Sequence, residues 1–592
     1  MSGAETVLGV TASLSGRRWL WRTGEERVAF GIAQQLSVPE IVGRLLAARA
    51  VGIEQAAGFL DPKLRAMLPD PSVMADMDQA ADRLADAVQN DETIAVYGDY
   101  DVDGACGAAV MVTFLRDLGC EVHHHVPDRI LEGYGPNVPA LARLVDLGAG
   151  LIVCVDCGTA AADTLASVAG KADVIVLDHH KAEGPPPAVL ATVNPNRLDD
   201  RSGLGGLCAA GVAFLTAVAT TRALRRLGHF NGVAEPDLLA LLDLVALATV
   251  CDVMPLTGLN RAFVCQGLKV MARRARPGIA ALLEVTGARE KLNAATCGFA
   301  LGPRINAGGR ISEADLGLRL LLTKDPLEAQ TLAERLEAVN HQRQDVESVI
   351  MDAAMRSAET QLAQGHAVVV VAGEGWHPGV VGIVAGRIKE RFNRPACVAG
   401  LADGIGKGSG RSIAGLDLGA AVIAARQMGL LATGGGHAMA AGFSLPAGSL
   451  EAFHAFLDER LALATTLPSA ADLAIEGSLT VLGATTEVAQ QLDRLAPFGA
   501  GNEEPTLVLH RARVVRADRV GREGNTIRAF VEGEGGGPRL KAMLFRAREG
   551  AVAEALLAKG QAVPLHLAGH LRAEAWNGTV TPCFVVCDAA IA

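Results

Sequence analysis

The chain has 592 residues, half of them hydrophobic and a fifth charged, which excludes a disordered chain, a collagen-like fibre and a disulfide-stapled miniprotein. Its net charge of −11 argues against a surface coated in basic charge for duplex binding, but is compatible with a narrow basic groove. Eleven cysteines, an odd number, indicate a cytoplasmic protein. We see no signal peptide, and the uncharged run 202–221 is predicted as a buried helix rather than a membrane span.

Three short apolar runs, separated by amphipathic helical segments, stand out in the first half of the chain. They are IAVYGD (94–99), LIVCVD (151–156) and VIVLD (174–178). Near-continuous apolar strands that alternate with helices predict a parallel sheet covered on both faces. Each run ends in an aspartate, and such sheets bind ligands at the carboxyl ends of their strands. The three acids are therefore expected at one rim of an α/β fold.

The second half of the chain predicts a long helix followed by two smaller domains. Apolar residues keep helical spacing from Asp325 to Gly365, and 38 helical residues would extend about 57 Å. A second α/β unit begins at AVVVVAGEG (367–375), and short strand-like runs with glycine-rich turns follow it. The predicted divisions are an N-terminal region (1–70), a catalytic α/β domain (71–324), a connecting helix (325–365), a second α/β domain (366–467) and a C-terminal β-domain (468–592).

The segment VYGDYDVDGACGAA places three carboxylates within five residues at the end of the first predicted strand. These are Asp99, Asp101 and Asp103, and their mutual repulsion is costly unless cations neutralise it. A solvated acidic turn is the alternative. The apolar strand before the acids and the helix that Gly104 opens after them favour a functional site.

Further carboxylates and imidazoles follow other apolar runs. Asp156 ends LIVCVD, Asp178 is followed by His179 and His180, and Asp252 follows LVALATVC. Carboxylates and imidazoles at successive strand ends can surround two divalent ions that act on a phosphoryl group. The mixed Asp/His set suits Mn²⁺ and accommodates Mg²⁺ less naturally.

Several of these segments resemble the motifs of a known enzyme family. GDYDVDG, VDCG, DHH and CDVMPL occur in the order of the four motifs of the DHH phosphoesterase superfamily. GKGSGRS (406–412) and GGGHAMAAG (434–442) are similar to its DHHA1 companion domain. LGPRINAGGR, WHPGVVGIVAGR and APFGAGNEEP narrow the resemblance to the RecJ family, bacterial 5′→3′ exonucleases specific for single-stranded DNA. The resemblance covers about residue 50 to the C-terminus and implies a parallel-sheet DHH domain, a long helix, a smaller α/β DHHA1 domain and an OB-like β-domain.

The resemblance implies the metal ligands residue by residue. Asp101 and Asp103 correspond to ligands of different ions, and Asp156 corresponds to the carboxylate between them. His179 and Asp252 correspond to further ligands of the second ion. The implied cofactor is two Mn²⁺ or Mg²⁺ ions in each active site.

Four more residues bear on the predicted site of the first ion or on the reacting phosphate. Several superfamily members carry a metal-binding histidine where this chain has Tyr97, and Asp99 is expected to compensate as a ligand. The resemblance implies that His180 stabilises charge on the scissile phosphate, while Asp178 orients the two histidines. A water acidified by the ions would then attack phosphorus in line with the departing 3′ oxygen, so His180, Asp101, Asp103 and Asp156 are the candidate catalytic residues.

Two glycine-rich segments supply candidate phosphate-binding residues. Arg304 and Arg310 flank Asn306 in an expected glycine-rich turn, and guanidinium groups match phosphate oxygens with paired hydrogen bonds. The alternative is that one of these arginines pairs with a buried acid.

The second segment is GKGSGRS. It carries Ser409, Arg411 and Ser412 on an expected loop whose backbone amides could hold an anion. Together with His437 they are predicted to form a nucleotide-binding face. Simple tight turns are the alternative for the glycines.

The C-terminal region 511–548 carries ten Lys/Arg and four Asp/Glu, a local charge of +6. The resemblance implies an OB-like domain there, and such domains hold single strands in basic grooves.

The sequence thus predicts a metal-dependent 5′→3′ exonuclease that hydrolyses single-stranded DNA to 5′-mononucleotides in DNA repair and recombination. The alternatives are a DHH phosphodiesterase of short oligonucleotides or cyclic dinucleotides, and a non-catalytic scaffold that binds single-stranded DNA. Single-stranded DNA is the expected partner, with a single-strand-binding protein and a helicase as candidate protein partners. A monomer without membrane contact is expected.

Overall fold

The computed structural model describes residues 5–129, 131–182, 184–288, 291–466, 471–521, 524–547, 550–558, 563–576 and 578–592, with only the backbone of Trp576. The chain forms two compact units. The parallel-sheet unit comprises Asp61–Arg343 and Pro497–Glu503, and the barrel unit comprises Met1–Leu60, Gln344–Ala496 and Glu504–Ala592. In these described ranges no helix is both long enough and apolar enough to cross a membrane.

The strands are β1 (Trp19–Trp21), β2 (Ile94–Gly98), β3 (Val122–His125), β4 (Leu151–Val155), β5 (Asp173–Leu177), β6 (Ala191–Val193), β7 (Val369–Glu374), β8 (Ala396–Ala402), β9 (Ile405–Arg411), β10 (Thr433–His437), β11 (Ala440–Pro446), β12 (Leu473–Ile475), β13 (Gly477–Leu479), β14 (Leu507–Val520), β15 (Thr526–Gly533), β16 (Leu540–Leu544), β17 (Leu565–Trp576) and β18 (Thr579–Ile591).

The α-helices are α1 (Glu26–Leu36), α2 (Glu40–Ala48), α3 (Ile53–Leu60), α4 (Leu64–Met67), α5 (Met77–Gln89), α6 (Val102–Asp117), α7 (Val138–Asp146), α8 (Ala162–Leu165), α9 (Ala209–Arg226), α10 (Leu242–Cys251), α11 (Gly258–Met271), α12 (Pro277–Val285), α13 (Gly302–Ile311), α14 (Leu316–Leu322), α15 (Pro326–Ala363), α16 (Pro378–Phe392), α17 (Leu418–Gln427), α18 (Leu450–Arg460), α19 (Thr486–Asp493) and α20 (Ala551–Leu557).

The parallel-sheet unit contains a five-stranded sheet in the order β3-β2-β4-β5-β6, with every neighbouring pair parallel. Alternate residues of β2 enter different cores: Ile94 and Val96 pack with α6 and α9, whereas Ala95 and Tyr97 pack on the side of α7. Both faces of the sheet are therefore covered, as its apolar strands predict. The chain reverses direction across the sheet between β2 and β4, and such switch points bind ligands.

The barrel unit contains a smaller α/β part that follows the long helix α15. Its five-stranded sheet has the order β10-β11-β9-β8-β7, in which β7 and β8 are parallel and the other pairs antiparallel. The rings of Phe443 of β11 and Phe453 of α18 pack in its core at an interplanar angle of 51°, with centroids 5.0 Å apart. The long helix expected from the sequence is present.

The C-terminal strands of the barrel unit close on themselves. The order β14-β15-β16-β18-β17 is completed by pairing of β17 with β14, which is the connectivity of the five-stranded OB barrel. N-terminal residues belong to this unit: β1 pairs with β12, and the Trp19 indole N–H donates to the buried Asp588 carboxylate at 2.9 Å. The predicted fold class is confirmed.

Candidate metal centre

Three aspartates lie at one edge of the parallel sheet. Asp99, Asp156 and Asp178 directly follow β2, β4 and β5, which are neighbours in the sheet. Because parallel strands end at the same edge, the sheet brings together side chains that are 79 residues apart in sequence. All three are at least 97% buried.

The acidic motif turns tightly from β2 into α6. Asp101 caps the helix, since its Oδ1 accepts hydrogen bonds from the backbone N–H groups of Asp103 (2.9 Å) and Gly104 (3.1 Å). A Cβ at Gly104 would lie 2.5 Å from the carbonyl oxygen of Asp99, so only glycine lets the helix begin this close to the strand. The turn thereby holds Asp99 and Asp101 in one short stretch of backbone.

Asp103 is buried against the beginning of another helix. Its two carboxylate oxygens accept hydrogen bonds from the N–H groups of Ala209 (2.6 Å) and Ala210 (2.9 Å), the first residues of α9. The positive end of a helix dipole stabilises a negative group placed there. This arrangement fixes the Asp103 carboxylate beside the sheet edge.

His179 joins the acids into one group. Its Nε2 lies 3.3 Å from Asp156 Oδ1, 3.5 Å from Asp252 Oδ2 and 3.6 Å from Asp103 Oδ2. Asp156 has a left-handed backbone, with φ of +63°, a conformation that non-glycine residues adopt at a cost and that is often found at functional sites.

The six predicted ligands form two neighbouring sets of potential ligand atoms. Asp103, His179 and Asp252 make one set, and Asp99, Asp101 and Asp156 make the other. Because Asp156 also contacts His179, it lies between the sets. The structure thus brings together all six sequence-predicted ligands.

Asp252 reaches this group from an unexpected element. The apolar residues before it form helix α10 rather than a strand, and Asp252 follows its last turn. The expectation that every member ends a sheet strand is wrong for this residue. Its apolar sequence reflects a helix buried on all sides.

Three acids of this centre have buried carboxylate oxygens without hydrogen-bond partners among the described residues. These oxygens are Asp99 Oδ1, Asp156 Oδ1 and Asp252 Oδ2. Burial, together with neighbouring carboxylates, raises the pKa of Asp99 and of Asp252 to about 8 and also raises the pKa values of Asp103 and Asp156. Oxygen atoms without partners and carboxylates that repel one another fit a site for divalent cations.

His180 is held beside this group by Asp178. The Nδ1 atom of His180 donates to Asp178 Oδ1 at 2.8 Å, and the same oxygen accepts from the N–H groups of His179 and His180. Burial opposes the charged ring, but the hydrogen bond and charge of Asp178 outweigh it and raise the pKa of His180 to about 9. Asp178 therefore orients and charges an imidazole that is about half exposed.

Tyr97, where the sequence resemblance led us to expect no metal ligand, is fully buried. Its buried hydroxyl donates to the carbonyl of Gly135 at 2.9 Å and accepts from the Asn137 side chain at 3.1 Å. Tyr97 thus supports the loop after β3, and Asp99 is the residue that stands with Asp101 and Asp156.

That loop contributes residues that sequence reasoning missed. The Tyr134 hydroxyl donates to the carbonyl of Asp156 at 3.1 Å and lies 3.2 Å from His180 Nδ1. The Arg129 guanidinium lies over the ring of Tyr100, 5.1 Å from its centre. The sequence signal that could have pointed to this loop was an aromatic residue, Tyr134, between two glycines. Gly133 and Gly135 both have positive φ.

These groups line one cavity. Its walls are formed by Asp99, Tyr100, Asp101, Arg129, Tyr134, Asp156, His180, Cys251, Asp252, Asn306, Gly309 and Arg310. Acids, two arginines and a histidine thus face one space, a combination suited to a phosphate ester held beside cations.

The predicted glycine-rich turn around Asn306 is a helix, α13. Asn306 and Arg310 are four residues apart and share the face that lines the cavity. Arg304 lies on another face, where both ends of its guanidinium donate to Glu337 and Nη1 donates to the carbonyl of Ala300 at 2.7 Å. Its assignment to phosphate is corrected: Arg304 pairs with an acid.

The predicted anion-binding loop GKGSGRS is strand β9, paired on both sides. Its backbone amides belong to the sheet and form no anion nest. Arg411 donates to Ser409 Oγ at 3.1 Å, and both side chains lie beside Gly382 of α16. Ser412 is fully buried and donates its hydroxyl to the carbonyl of Leu416 at 2.9 Å, so its assignment to phosphate is also corrected. His437 is exposed at the end of β10.

Comparisons with known proteins agree with this arrangement. Family models match at three places: the DHH family N-terminal domain over residues 93–249, the DHHA1 domain over 364–463 and the RecJ OB domain over 475–588.

Two curated relatives and one solved structure extend the match. The single-stranded-DNA-specific exonuclease RecJ of Dickeya dadantii is 39% identical over 86% of this chain and 89% of its own length. RecJ of Bacillus subtilis is 33% identical over 98% of this chain and 71% of its own length. The crystal structure of Thermus thermophilus RecJ with Mn²⁺ is 30% identical, with a TM-score of 0.79, over 96% of this chain and 79% of that one. The chain belongs to the RecJ family.

Proposed function

We propose that this protein is a metal-dependent exonuclease that hydrolyses single-stranded DNA from the 5′ end to 5′-mononucleotides, in DNA repair and recombination in the cytoplasm. The observation that carries the proposal is the two ligand sets, joined by the contact of Asp156 with His179, beside a cavity with two arginines. RecJ relatives are named for single-stranded-DNA-specific exonuclease activity.

The two ligand sets are the residues that we propose would hold two Mn²⁺ or Mg²⁺ ions. Asp99, Asp101 and Asp156 would hold one ion; Asp103, His179 and Asp252 would hold the other, with Asp156 between them. The buried carboxylate oxygens without partners supply the negative charge that such ions require. A RecJ structure with Mg²⁺ and one with Mn²⁺ are known from Thermus thermophilus.

Bound ions supply acidification of a water nucleophile and charge neutralisation at phosphorus. Around them, His180 presents Nε2 while Asp178 occupies Nδ1, so the charged ring can donate to a phosphate oxygen as charge develops. Tyr134 braces this ring and the Asp156 backbone. Arg129 and Arg310 place positive charge on the cavity wall for the non-reacting phosphate oxygens.

The barrel unit supports a polymeric substrate. Its OB barrel matches the RecJ OB domain, and OB barrels bind single strands by basic and aromatic side chains. We propose the divisions 1–70, 71–324, 325–365, 366–467 and 468–592 as the functional domains. Ser409, Arg411 and His437 on the smaller sheet are proposed DNA contacts, and a single-strand-binding protein and a helicase are the proposed protein partners of the monomer.

The test is digestion of one oligonucleotide labelled at either end, as a single strand and as a blunt duplex, with Mn²⁺, Mg²⁺ or EDTA. We expect mononucleotides from the 5′ end of the single strand with either ion, and none with EDTA. Hydrolysis of dinucleotides alone would indicate the small-substrate phosphodiesterase instead. Binding without hydrolysis would indicate a scaffold.

A further inference from the structure

Two large apolar side chains are exposed on the segments that adjoin the end of α10. Phe299 is 79% exposed and Val253 is 68% exposed. Val253 directly follows Asp252 and has a left-handed backbone with φ of +58°. Single exposed apolar residues are common on protein surfaces, but both of these lie on segments next to Cys251 and Asp252, which line the cavity.

The backbone that carries Phe299 lies directly on the cavity wall. Thr296–Leu301 form a π-helical turn that continues into α13, and such turns are frequent at functional sites. The wall residue Cys251 donates its S–H to the carbonyl of Cys297 at 3.4 Å. A Cβ at Gly302 would lie 2.4 Å from Cys251 Sγ, so the π-turn and the end of α10 are in close contact.

Helical spacing relates Phe299 to the residues that already face the cavity. Asn306 and Arg310, which both line the cavity, lie seven and eleven residues after it, but the π-helical turn that carries Phe299 has more residues per turn than an α-helix and rotates Phe299 away from exact alignment with them. Seven residues correspond to about 10 Å along the axis. Phe299 therefore lies about two turns before the cavity-lining residues of this helix, on a segment that packs against the cavity-wall residue Cys251.

An exposed aromatic ring is well suited to one ligand that the proposed substrate provides. Every nucleobase has a flat π-face, and stacking on an aromatic side chain is largely independent of sequence. The face of an unpaired base is available for stacking, whereas in a duplex the neighbouring base pairs cover it. A phenylalanine, with no hydrogen-bonding group, would not read the base edge.

We propose that Phe299 is a stacking platform for a nucleobase of the single strand whose phosphate lies in the metal centre, with Val253 extending the apolar surface under the sugar or base. The proposal rests on the proposed function and adds a base-binding subsite to it. The platform holds a strand with an unpaired base near the scissile phosphate and favours no particular base.

The test compares base removal in the DNA with ring removal in the protein. The substrates are one oligonucleotide with normal bases and a series with a single abasic residue at each of the first four positions. The proteins are wild type, Phe299→Ala, Phe299→Trp and Phe30→Ala; Phe30 is also an exposed phenylalanine, 55% exposed on α1. Hydrolysis with Mn²⁺ gives kcat and KM, and fluorescence anisotropy with EDTA gives Kd.

For wild type we expect an abasic residue at one position to weaken binding and kcat/KM about tenfold. Phe299→Ala should lose about the same factor on the normal oligonucleotide, and the abasic residue at that position should then cost nothing further. Phe299→Trp should restore both the affinity and the sensitivity to the abasic residue. Phe30→Ala should behave as wild type.

Two results would overturn the platform. One is a Phe299→Ala protein with wild-type kinetics and Kd. The other is independence of the two changes: at every position the abasic residue weakens binding by the same factor in Phe299→Ala as in wild type. If Phe299→Ala does not fold, a Phe299→Trp protein that is insensitive to all abasic residues gives the same negative answer. Absence of hydrolysis by wild type would contradict the proposed function alone, because the Kd comparison still decides whether Phe299 stacks on a base.

Discussion

At the scale of single residues, the metal centre contains groups that lower the stability of the fold and are suited to binding cations. Buried carboxylates normally find hydrogen-bond donors, but here Asp99, Asp156 and Asp252 each keep a buried oxygen without a partner among the described residues. Asp156 adds an unfavourable left-handed backbone. Asp103 and Asp178, by contrast, are satisfied by backbone N–H groups. Within the metal centre, the oxygens without partners thus belong to three of the carboxylates proposed to hold ions.

This imbalance predicts how stability depends on pH without divalent ions. The pKa values of Asp99 and Asp252, raised to about 8, exceed the value of about 3.9 in an unfolded chain. The folded protein therefore retains protons that the unfolded chain releases, so stability should fall as pH rises from about 4 to about 8. Melting temperatures measured across this range with EDTA should decrease, and saturating Mn²⁺ should remove most of the decrease.

Replacing the central carboxylate, Asp156, tests whether repulsion between the acids lowers stability in the absence of ions. Asp156→Asn removes one of the repelling charges, so the EDTA melting temperature at pH 8 should rise, while stabilisation by Mn²⁺ and hydrolysis should both fall, hydrolysis by more than about tenfold. The control is Asp82→Asn on α5, an exposed aspartate, which should leave all three quantities unchanged. If Mn²⁺ raised the melting temperature of Asp156→Asn as much as it raises that of wild type, the placement of Asp156 between two ions would be contradicted.

At the scale of elements, glycine decides how close α6 comes to β2. A Gly104→Ala methyl group would meet backbone atoms of Asp99 at 2.5–2.7 Å, which cannot move without displacing the acid. We expect the substitution to lower both the melting temperature and hydrolysis. The matched control is Gly386→Ala within α16, where a Cβ would have no atom within 4 Å; it should stabilise the protein by about 0.5–1 kcal/mol. Stabilisation by Gly104→Ala would contradict the tight turn.

The elements also show which features the sequence could predict. Apolar runs of strand length that end in aspartate predict β2, β4 and β5, because the signal is local. The partner of Arg304 and the loop conformation of GKGSGRS were predicted wrongly because they depend on distant residues: Glu337 lies 33 residues from Arg304, and β9 is defined by its neighbours β8 and β11. Tyr134 was missed because its role comes from contacts with Asp156 and His180, which are distant in sequence.

At the scale of the whole molecule, the acids and the barrel belong to different compact units. The outer surface of the barrel carries a row across three strands, in which Arg516 of β14 pairs in register with Phe530 of β15, and Phe530 with Lys541 of β16. An aromatic ring between two cations is the combination that binds single strands. Arg516 and Lys541 form ion pairs with Asp518 and Glu574, but exposed pairs of this kind contribute only about 0–1 kcal/mol, so phosphates can replace the acids.

The row predicts a separation between binding and chemistry. If Arg516 and Lys541 each neutralise one phosphate, the double variant Arg516→Ala/Lys541→Ala should reduce the slope of log Kd against log salt by about 1.4, because each contact contributes about 0.7 for single strands. Kd is measured by anisotropy with EDTA across a salt series, and Arg225→Ala/Arg226→Ala at the end of α9, exposed arginines in the other unit, is the control. Single-turnover hydrolysis of saturating oligonucleotide should stay at the wild-type rate, because the six proposed ligands of the metal centre all lie in the parallel-sheet unit. An unchanged salt slope would remove this row from the DNA path, whereas a lower single-turnover rate would show that the barrel takes part in more than holding the strand.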